Sequence, residues 1–494
     1  NHTVKPGRAA RGTGSPVVLS RPMRLAWFSP LPPHRSGIAA YSADVLPVLA
    51  RTHDIDAYID DTAGPSAVRA ARPLPGVRVR GAFDFTWAHA QHPYDLVVYQ
   101  LGNDSCHDYM WPYMLQDPGL AVLHDAQLHQ ARARTLLQQG REEDYVKEFL
   151  YNHAEVGEGV PRMVAVGVGS AFYYLWPMLR IPLEGARLVA VHNRWLAGHL
   201  EAEFSTVQTA RIRMGVPDPL SQVTTSSDEI RRRLRIPDDG IIFAAFGRVT
   251  PEKCLTAVIM ALAQLGTAAD RTYLVCVGET VTYYDLIAEA RQVGLGDRIR
   301  VTGYVGDDDL PSYLAAADAC VCLRWPTARE TSASWLRCVA AGKPTVVHEL
   351  LHTSDVPTLD VRTMAVRSTG PGKTPAPIAV GIDMLDEASM LRQALGLLIA
   401  RADLRQSIGA AARTFWSADA TIGVMAEDYE RALMLALSLP GPANRAAWPR
   451  HLSVDGTEKT RSLVGRQDQP AVVRALDEAL GPATDDRTPA EDRP

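Results

Sequence analysis

The stretch "IIFAAFGRVTPEKCLTAVIMALAQL" (241–265) predicts a buried strand that runs directly into a helix. Residues 241–247 are almost wholly apolar, as is typical of a strand covered on both faces of a sheet. Thr250 suits a helix N-cap and Pro251 the first helical position. Apolar residues then recur at helical spacing, which gives the helix one face to bury. A strand followed by a packed helix is the repeating unit of parallel α/β folds.

The same alternation of strand and helix runs through most of the chain in two sets, separated by the linker-like "RMGVPDPL" (213–220). The strands predicted in the first set are 23–28, 95–100, 119–124 and 186–192. Those predicted in the second set are 241–247, 272–278, 298–304, 319–325 and 345–349. We therefore predict an α/β protein with two doubly wound, Rossmann-like domains that face each other across a central cleft. Ligands of such sheets bind beyond the carboxyl ends of the strands, so the cleft is the expected site.

Composition narrows the class of protein. The 494 residues are 46% hydrophobic and 22% charged, which is ordinary for a soluble globular protein. A net charge of −5 argues against a generally basic nucleic-acid binder. None of the six cysteines forms a CxxC pair, so we expect reduced thiols in a cytosolic protein. Residues 1–22 lack the apolar run of a signal peptide, and 163–179 is short for a membrane span, which favours a buried helix over docking on a membrane surface.

The segment "FGRVTPEK" (246–253) carries two cations at a strand-to-helix turn. Arg248 follows the strand, and Lys253 lies in the predicted first helical turn, where free backbone N–H groups attract an anion. Two cations and a helix N-terminus would form a diphosphate clamp, and the alternative is a capped helix with two solvated charges. The chain has no GxxxxGK[ST] P-loop and no GxGxxG after a strand, which weakens a dinucleotide dehydrogenase interpretation.

A second candidate segment is "LRWPTARETSASWLRCVAAGKPTVV" (323–347). Glu330 falls at a predicted strand-to-helix turn, and three hydroxyl groups fall in the predicted first helical turn, those of Thr331, Ser332 and Ser334. Hydroxyls and free amides suit phosphate or sugar oxygens, and a carboxylate suits a sugar hydroxyl. The alternative is a simple helix-capping cluster.

Taken together, these segments resemble the retaining glycosyltransferases of family 4, which have the GT-B fold. The resemblance runs from Met23 to about Leu439, and the ETSxS-type motif is similar to that of one subgroup. Its further segments are "FSPLPPHRSGIAAYS" (28–42), "VYQLGNDSCHDYMWPYM" (98–114), "VLHDAQLH" (122–129), "VHNRWL" (191–196), "MGVPD" (214–218), "VTGYV" (301–305) and "AEDYERALMLAL" (426–437). The implied organisation is an N-terminal extension (1–22), an acceptor-side domain (23–217), a nucleotide-sugar-binding domain (218–423), a returning helix (424–439) and a largely disordered tail (440–494).

The resemblance also implies roles for individual residues. The donor's diphosphate would meet Gly247, Arg248 and Lys253, and the nucleotide base would meet Gly303 and Tyr304. A first-domain loop with Ser36 and Gly37 would close over the donor, and His124 and Asp125 would lie near the transferred sugar. The acceptor side or the floor between the domains would include Asn103, His107 and His129, for which a structural role is the alternative, and Asp125 is assigned to the acceptor side as well.

One motif departs from the family pattern. Counted back from Gly342, the two glutamates of the family motif would fall at Arg329 and Arg337. Glu330 is one residue late, and the glutamate that normally holds the ribose is missing. A one-residue adjustment at the turn would bring Glu330 to the donor sugar. An arginine at this position could not accept a hydrogen bond from a sugar hydroxyl, whereas a glutamate can.

The resemblance implies a nucleotide-sugar glycosyltransferase that retains anomeric configuration and has a glycan, a lipid-linked sugar or a small molecule as acceptor. The nucleotide-diphosphate sugar is a co-substrate, and no cofactor or metal is expected, because cationic side chains neutralise the diphosphate. The aspartates at 60–61 and 307–309 are interpreted as turn residues and a helix start. The alternatives are a catalytically degenerate binding or scaffold protein and a nucleotide-sugar epimerase. We expect a cytoplasmic location with possible peripheral membrane contact and no nucleic-acid partner; the sugar, base, acceptor and oligomeric state stay open.

Overall fold

The computed structural model describes residues 22–442 and 448–452, apart from 63, 65, 170 and 368–374. Within this part of the chain, two parallel sheets form the centres of two α/β domains. The returning helix and the segment 448–452 pack on the first domain. The predicted fold class is confirmed by this arrangement and by the structural neighbours reported below.

The first domain is built on seven described strands in the order β3-β2-β1-β4-β5-β6-β7, and every pair is parallel. The strands are β1 (Arg24–Phe28), β2 (Asp54–Ile59), β3 (Val77–Gly81), β4 (Leu96–Leu101), β5 (Leu120–Leu123), β6 (Leu188–Val191) and β7 (Thr209–Arg211). The α-helices are α1 (Gly37–Leu49), α2 (Ser66–Ala70), α3 (Phe85–Gln91), α4 (Trp111–Gln116), α5 (His129–Gln138), α6 (Glu142–Asn152), α7 (Gly159–Ala165), α8 (Phe172–Leu175), α9 (Arg180–Gly185) and α10 (Arg194–Glu203). The central strands are buried on both faces, as their apolar runs predict.

The second domain contains eight described strands in the order β10-β9-β8-β11-β12-β15-β13-β14, and only β14 runs antiparallel to its neighbour. The strands are β8 (Ile241–Phe246), β9 (Thr272–Val277), β10 (Ile299–Val301), β11 (Ala319–Val321), β12 (Thr345–His348), β13 (Thr358–Asp360), β14 (Val366–Arg367) and β15 (Ala379–Ile382). The α-helices that follow are α11 (Ser227–Leu234), α12 (Leu255–Gln264), α13 (Leu286–Gln292), α14 (Leu310–Ala316), α15 (Ala333–Ala340), α16 (Glu387–Ala400), α17 (Ala402–Asp419) and α18 (Ile422–Ser438).

The predicted helix at 251–265 begins later than expected. Thr250 occupies an N-cap position without a side-chain capping bond, and Pro251–Lys253 form only a 3₁₀ turn. Cys254 then adopts a left-handed backbone with φ 52°, and α12 starts at Leu255. Lys253 therefore lies in the 3₁₀ turn that precedes α12, and not within the first turn of that helix.

Helix α18 crosses back to the first domain, where its central tyrosine is buried. Tyr41 donates a hydrogen bond of 2.8 Å to the Tyr429 hydroxyl, and the Tyr429 ring centroid lies 5.1 Å from that of Trp27. The spacing of Met425, Tyr429, Leu433 and Leu437 at every fourth residue predicts the buried face of this helix, but the prediction is wrong at its end, because Leu437 is 38% exposed. Because a helix has 3.6 residues per turn, residues four apart move gradually around its circumference. The buried position at the end of the helix is therefore occupied by Ala436.

Two terminal or surface segments differ from expectation. Residues 163–179 do not form one buried helix: they span the end of α7 and the short α8, and Val166 and Leu175 are exposed. No helix of the described residues combines the length and apolarity needed to cross a membrane.

Within the expected disordered tail, Trp448 is buried and His451 contacts Glu148 at 2.9 Å. The extension 1–21 and residues 453–494 lie outside the described part.

Candidate functional site

A cavity of about 250 Å³ lies between the domains. It faces the carboxyl ends of β6 and β7 in one sheet and of β8, β11 and β12 in the other. Parallel sheets bind ligands at this edge, so the cavity is where the sequence predicts the site. Among its lining residues are Lys253, Glu330, Thr331, Ser332 and Ser334.

Lys253 is one of the cations that line the cavity. Its Nζ donates a hydrogen bond to the Phe246 carbonyl at the end of β8. Burial lowers the pKa of Lys253 to about 8, and the nearby Arg324 guanidinium acts in the same direction. Gly247 has φ 88°, and a Cβ at that position would lie 3.4 Å from the Lys253 Nζ and 3.6 Å from the Ser334 Oγ. The ammonium, the glycine turn and the start of α15 therefore converge.

Arg248 does not join this cluster. Its side chain is exposed, lies outside the cavity lining, and makes no hydrogen bond or ion pair with any residue that the structure describes. The predicted two-cation clamp is therefore represented in this conformation by Lys253 alone. Gly247 turns the chain so that successive side chains diverge.

Glu330 lines the cavity and is held by two neighbours. Its carboxylate lies 2.7 Å from the Arg324 Nε and accepts a 2.8 Å hydrogen bond from the Thr327 hydroxyl. The predicted helix start is shifted, because α15 begins at Ala333 and Ser332 is its N-cap, with its hydroxyl accepting from the Trp335 N–H at 3.2 Å. Thr331 therefore precedes the helix and faces the cavity from the loop.

Arg329 points away from the position that the motif alignment assigns to a sugar-binding carboxylate. Its backbone is left-handed, with φ 60°. The guanidinium lies 3.2 Å from the His199 Nε2 and 5.5 Å from the centroid of the Trp195 ring, both on α10 of the first domain. The Arg329 carbonyl also accepts a 3.2 Å hydrogen bond from the Asn193 side chain. This residue connects the domains.

His124 lies beneath the cavity rather than in its wall. Its Nε2 is 2.8 Å from the Gln100 Oε1, and its Nδ1 is 3.1 Å from the His192 Nε2. His192 lines the cavity and is fixed on its other side by the Ile212 carbonyl, 2.9 Å from Nδ1. Burial lowers the pKa of both histidines, that of His192 to about 4. The histidine that reaches the cavity is thus His192.

The four residues expected on the acceptor side divide into two groups. His107 and His129 are buried and bonded to the Gln100 carbonyl at 2.9 Å and the Tyr145 hydroxyl at 2.7 Å, and burial lowers the pKa of each to about 4. Both fit the structural alternative.

Asn103 and Asp125, the other two, brace the loop above the cavity. The Asn103 N–H donates to the Asp125 carboxylate at 2.8 Å, and its side chain accepts from the Ala131 N–H at 3.1 Å. Burial and the neighbouring Glu330 carboxylate raise the pKa of Asp125 to about 6. The negative charge of Glu330 thus acts on a carboxyl group of the first domain, across the cleft.

The loop expected to close over the donor contacts the segment expected to meet the base. Ser36 caps α1 by accepting from the Ile38 N–H at 3.2 Å, and a Cβ on Gly37 would meet open space. The neighbouring Arg35 guanidinium stacks 4.0 Å from the centroid of the Tyr304 ring. Gly303 has φ 73° and turns the chain so that Tyr304 faces this loop. None of these residues lines the cavity, but their contact closes the cleft at one side.

Sequence reasoning did not single out a cationic wall on the first-domain side. Arg194, Arg211 and Arg213 line the cavity at the ends of β6 and β7. Arg213 pairs with Asp428 at 2.7 Å, and Arg211 lies 3.6 Å from Asp355. The Nε of Arg211 is buried without a hydrogen-bond partner in the described part. Burial lowers the pKa of Arg211 despite the contribution of Asp355. The available signal was the position of Arg194 shortly after the predicted strand 186–192; Arg211 and Arg213 had no such signal, because no strand was predicted at 209–211.

The aspartates considered for metal binding have local roles. The Asp60 carboxylate accepts from the Thr62 N–H at 3.0 Å, the Asp61 carboxylate accepts from the Phe83 N–H at 3.4 Å, and Asp309 stands at the N-cap position of α14. These are the turn and helix-start positions that the sequence predicts.

Comparisons with known proteins point to glycosyl transfer. Residues 226–351 match the family model described as "Glycosyl transferases group 1". The 2-deoxystreptamine glucosyltransferase of Streptomyces kanamyceticus is 29% identical over 134 residues, which are 27% of this chain and 34% of that protein. The D-inositol 3-phosphate glycosyltransferase of Salinispora tropica is 36% identical over 97 residues, or 18% and 20% of the two chains. The chain thus spans about a third or less of the length of these relatives.

Solved structures match the whole two-domain frame. Sucrose-phosphate synthase from Thermosynechococcus elongatus has a TM-score of 0.57 at 16% identity, covering 83% of this chain and 98% of that one. HepE of Anabaena, solved with UDP, has a TM-score of 0.56 at 15% identity, covering 83% and 99%. Identities this low establish the architecture alone. The chain has the GT-B fold, with two Rossmann-like domains facing across a cleft.

Proposed function

We propose that this protein is a glycosyltransferase that moves a sugar from a nucleotide-diphosphate sugar to an acceptor. The observation that carries the proposal is the meeting of the Lys253 ammonium, the Glu330 carboxylate and the start of α15 in one interdomain cavity. A diphosphate needs cations and free N–H groups, and a sugar needs a carboxylate and hydroxyls. The glycosyl transferase family match at 226–351 includes all three features, which supports the proposal.

In this proposal the second domain binds the donor. The diphosphate lies against Lys253 and the N-terminal amides of α15, beside the Ser334 hydroxyl. Negative charge grows on the leaving diphosphate as the sugar bond breaks, and the cation and amides stabilise it. Arg248 joins when the cleft closes, because its exposed side chain is free to turn. Cationic side chains then do the work of a metal at the diphosphate.

Glu330 holds hydroxyl groups of the donor sugar. Its two oxygens already accept from Arg324 and Thr327, so the carboxylate is fixed in place before the donor arrives. The acceptor attacks the face from which the nucleotide leaves, and the leaving phosphate takes its proton. The reaction therefore retains anomeric configuration without a protein nucleophile.

The acceptor lies against the first domain. Arg194 and Arg211 line the cavity there, and the Arg211 side chain is 30% exposed. Guanidinium groups favour a carboxylate or phosphate, so an acceptor with one of these groups is preferred over a neutral sugar.

The direct test is turnover by the pure protein. Incubation with UDP- and GDP-sugars should release the nucleoside diphosphate slowly by hydrolysis, and faster when anionic sugar acceptors are added. Tight binding without turnover would support the scaffold alternative. Conversion of the donor sugar without an acceptor would support the epimerase alternative.

Lys253→Met separates a binding defect from a folding defect in the same assay. We expect this variant to lose nucleotide-diphosphate binding, because it lacks the ammonium that lies beside Gly247 and the start of α15. Lys343→Met is the matched control, since Lys343 is also half-buried and donates to the Ala315 carbonyl at 2.8 Å, outside the cavity. Equal binding by the two variants would contradict the assignment of Lys253.

A further inference from the structure

Three potential metal ligands meet beside the cavity. The Cys254 Sγ, a His348 ring nitrogen and a Glu387 carboxylate oxygen all lie within 4.8 Å of one another. The His348 Nε2 is 2.8 Å from the Glu387 Oε1. The residues come from three separate places in the fold: Cys254 stands between the 3₁₀ turn and α12, His348 ends β12, and Glu387 begins α16. We call these three residues the Cys254 cluster.

The local structure aims these groups at one another. The His348 Nδ1 lies 3.2 Å from the Arg324 carbonyl and 3.3 Å from the Arg324 backbone nitrogen. Without metal, Nε2–H donates to the Glu387 carboxylate and Nδ1 accepts from the Arg324 N–H. In the metal-bound form the ring proton would move to Nδ1 and donate to the Arg324 carbonyl, which leaves the Nε2 lone pair for the metal. Metal-binding histidines are oriented by this kind of bond at their second nitrogen. Cys254 has φ 52°, a conformation that glycine adopts more readily than a residue with a Cβ. A side chain is kept at this position despite the conformational cost.

We propose that the Cys254 cluster is a zinc site. Thiolate, imidazole and carboxylate are the three ligand types that zinc binds in proteins, and a tetrahedral ion would keep a fourth position for water. The partial exposure of Glu387, at 28% of its side chain, provides the access for that water. Zinc replaces the His348–Glu387 hydrogen bond, and the Cys254 thiol releases its proton to solvent as the sulfur binds.

The geometry fits zinc better than a cysteine nucleophile. The Nε2 of His348, which would have to serve as base, is engaged with Glu387 and not with the thiol. Burial and the Glu387 carboxylate raise the pKa of Cys254 to about 11, so few thiolates form at neutral pH without a metal. A bound zinc ion supplies the positive charge that removes this proton.

The site would connect two parts of the cavity wall. Cys254 directly follows Lys253, and the Arg324 residue that orients His348 also pairs with Glu330. A zinc ion would therefore fix the lysine turn relative to the loop that carries Glu330. This inference stands on the cluster itself and does not depend on the glycosyl transfer proposed above.

The test uses the full chain, stripped with a chelator and titrated with zinc alone and then with cobalt alone. We expect one zinc per chain by elemental analysis. Cobalt should give a sulfur-to-metal charge-transfer band in the near ultraviolet and intense visible bands typical of tetrahedral coordination. Cys254→Ser should lose the near-ultraviolet band and weaken zinc binding at least tenfold. Cys106→Ser, which changes a half-buried cysteine outside the cluster, should change neither.

A second variant keeps the test decisive if Cys254→Ser fails to fold. Glu387→Gln alters a partly exposed position at a helix start and should keep the charge-transfer band while shifting the visible bands and weakening zinc binding. The proposal is overturned if the wild-type protein binds no zinc at micromolar concentrations. It is equally overturned if Cys254→Ser and Glu387→Gln both bind metal as the wild type does, since the metal would then sit elsewhere.

Discussion

Protonation of Lys253 should control how tightly the protein binds a nucleoside diphosphate. The pKa of this lysine is lowered to about 8, chiefly by burial and also by Arg324. A bound diphosphate favours the ammonium form and raises that pKa again. Between pH 7 and pH 9 the free protein changes from about nine-tenths charged to about one-tenth charged, so binding at the higher pH must first take up a proton.

The size of the effect follows from the same pKa. Nucleotide affinity should fall about tenfold between pH 7 and pH 9, equivalent to about 1.4 kcal/mol. The phosphate itself contributes little, because its last ionisation lies near pH 6. Isothermal titration calorimetry in buffers of different ionisation enthalpy should show uptake of about 0.1 proton at pH 7 and about 0.9 at pH 9.

Two variants make this test specific. Lys253→Met should bind weakly and without pH dependence over this range. Lys343→Met should keep the wild-type profile: burial lowers the pKa of Lys343 as well, but its ammonium lies outside the cavity. A tenfold fall that persists in Lys253→Met, or no proton uptake by the wild type at pH 9, would refute the assignment of Lys253 to the diphosphate.

The same lowered pKa has a consequence for stability. Between pH 8 and the ordinary lysine value of 10.5, the unfolded chain binds more protons at this position than the folded chain does. Burying the ammonium therefore opposes folding fully below pH 8, and the opposition fades as the pH rises through that window. In the absence of nucleotide, Lys253→Met should remove this contribution, so that urea denaturation of the variant lacks the corresponding gain at higher pH.

Three further predictions concern catalysis, the chain end and metal. Glu330→Gln should lower turnover roughly 10²–10³-fold and leave the Kd of the bare nucleoside diphosphate unchanged, because only the sugar meets the carboxylate; if Arg329→Ala is instead the more damaging change, the arginine belongs at the phosphate. A chain ending at Leu439 should lose about 3 kcal/mol of unfolding free energy through a missing buried tryptophan, whereas one ending at Leu452 keeps it, and equal denaturation midpoints would contradict this. In Cys254→Ala, which cannot assemble the cluster, EDTA should change turnover by less than about twofold, and rescue by Mg²⁺ or Mn²⁺ would show a metal at the diphosphate.

The long apolar strands were predictable because a strand that is buried on both faces has a nearly continuous run of apolar residues. The adjacent strands β2 and β3, on one side of the first sheet, were not predicted, and their residues show why. Asp56 lies in β2 with its carboxylate fully buried, where it pairs with Arg78 and Arg80 of β3 at 2.5 and 3.2 Å. A charged network inside a strand removes the apolar run on which the prediction depends. Only the pairing of the two strands explains why the Asp56 carboxylate is buried.

Site residues were predictable where their position depends on one segment of the sequence. They were not predictable where their position depends on how two segments pack together. Lys253, Glu330 and the start of α15 reach the cavity because each lies in a segment that connects a strand of the second sheet to the next helix. His124 was expected near the sugar, yet packing places it one layer deeper, and His192 from the next strand takes the cavity position. Nothing in either segment alone indicates which of two bonded histidines faces the ligand.

The arginines in the final motif have partners that bear on the scaffold alternative. The motif alignment puts Arg329 and Arg337 where glutamates are expected, which by itself suggests a decayed site. In the structure, Arg329 contacts α10 of the first domain, and Arg337 acts on Asp44 of α1, where it opposes a burial effect that raises the carboxyl pKa to about 6. Arg329 thus contacts the facing domain directly, and the charge of Arg337 acts on a carboxyl group of that domain. Glu330 keeps a carboxylate in the cavity, so the two arginines do not by themselves favour the scaffold alternative.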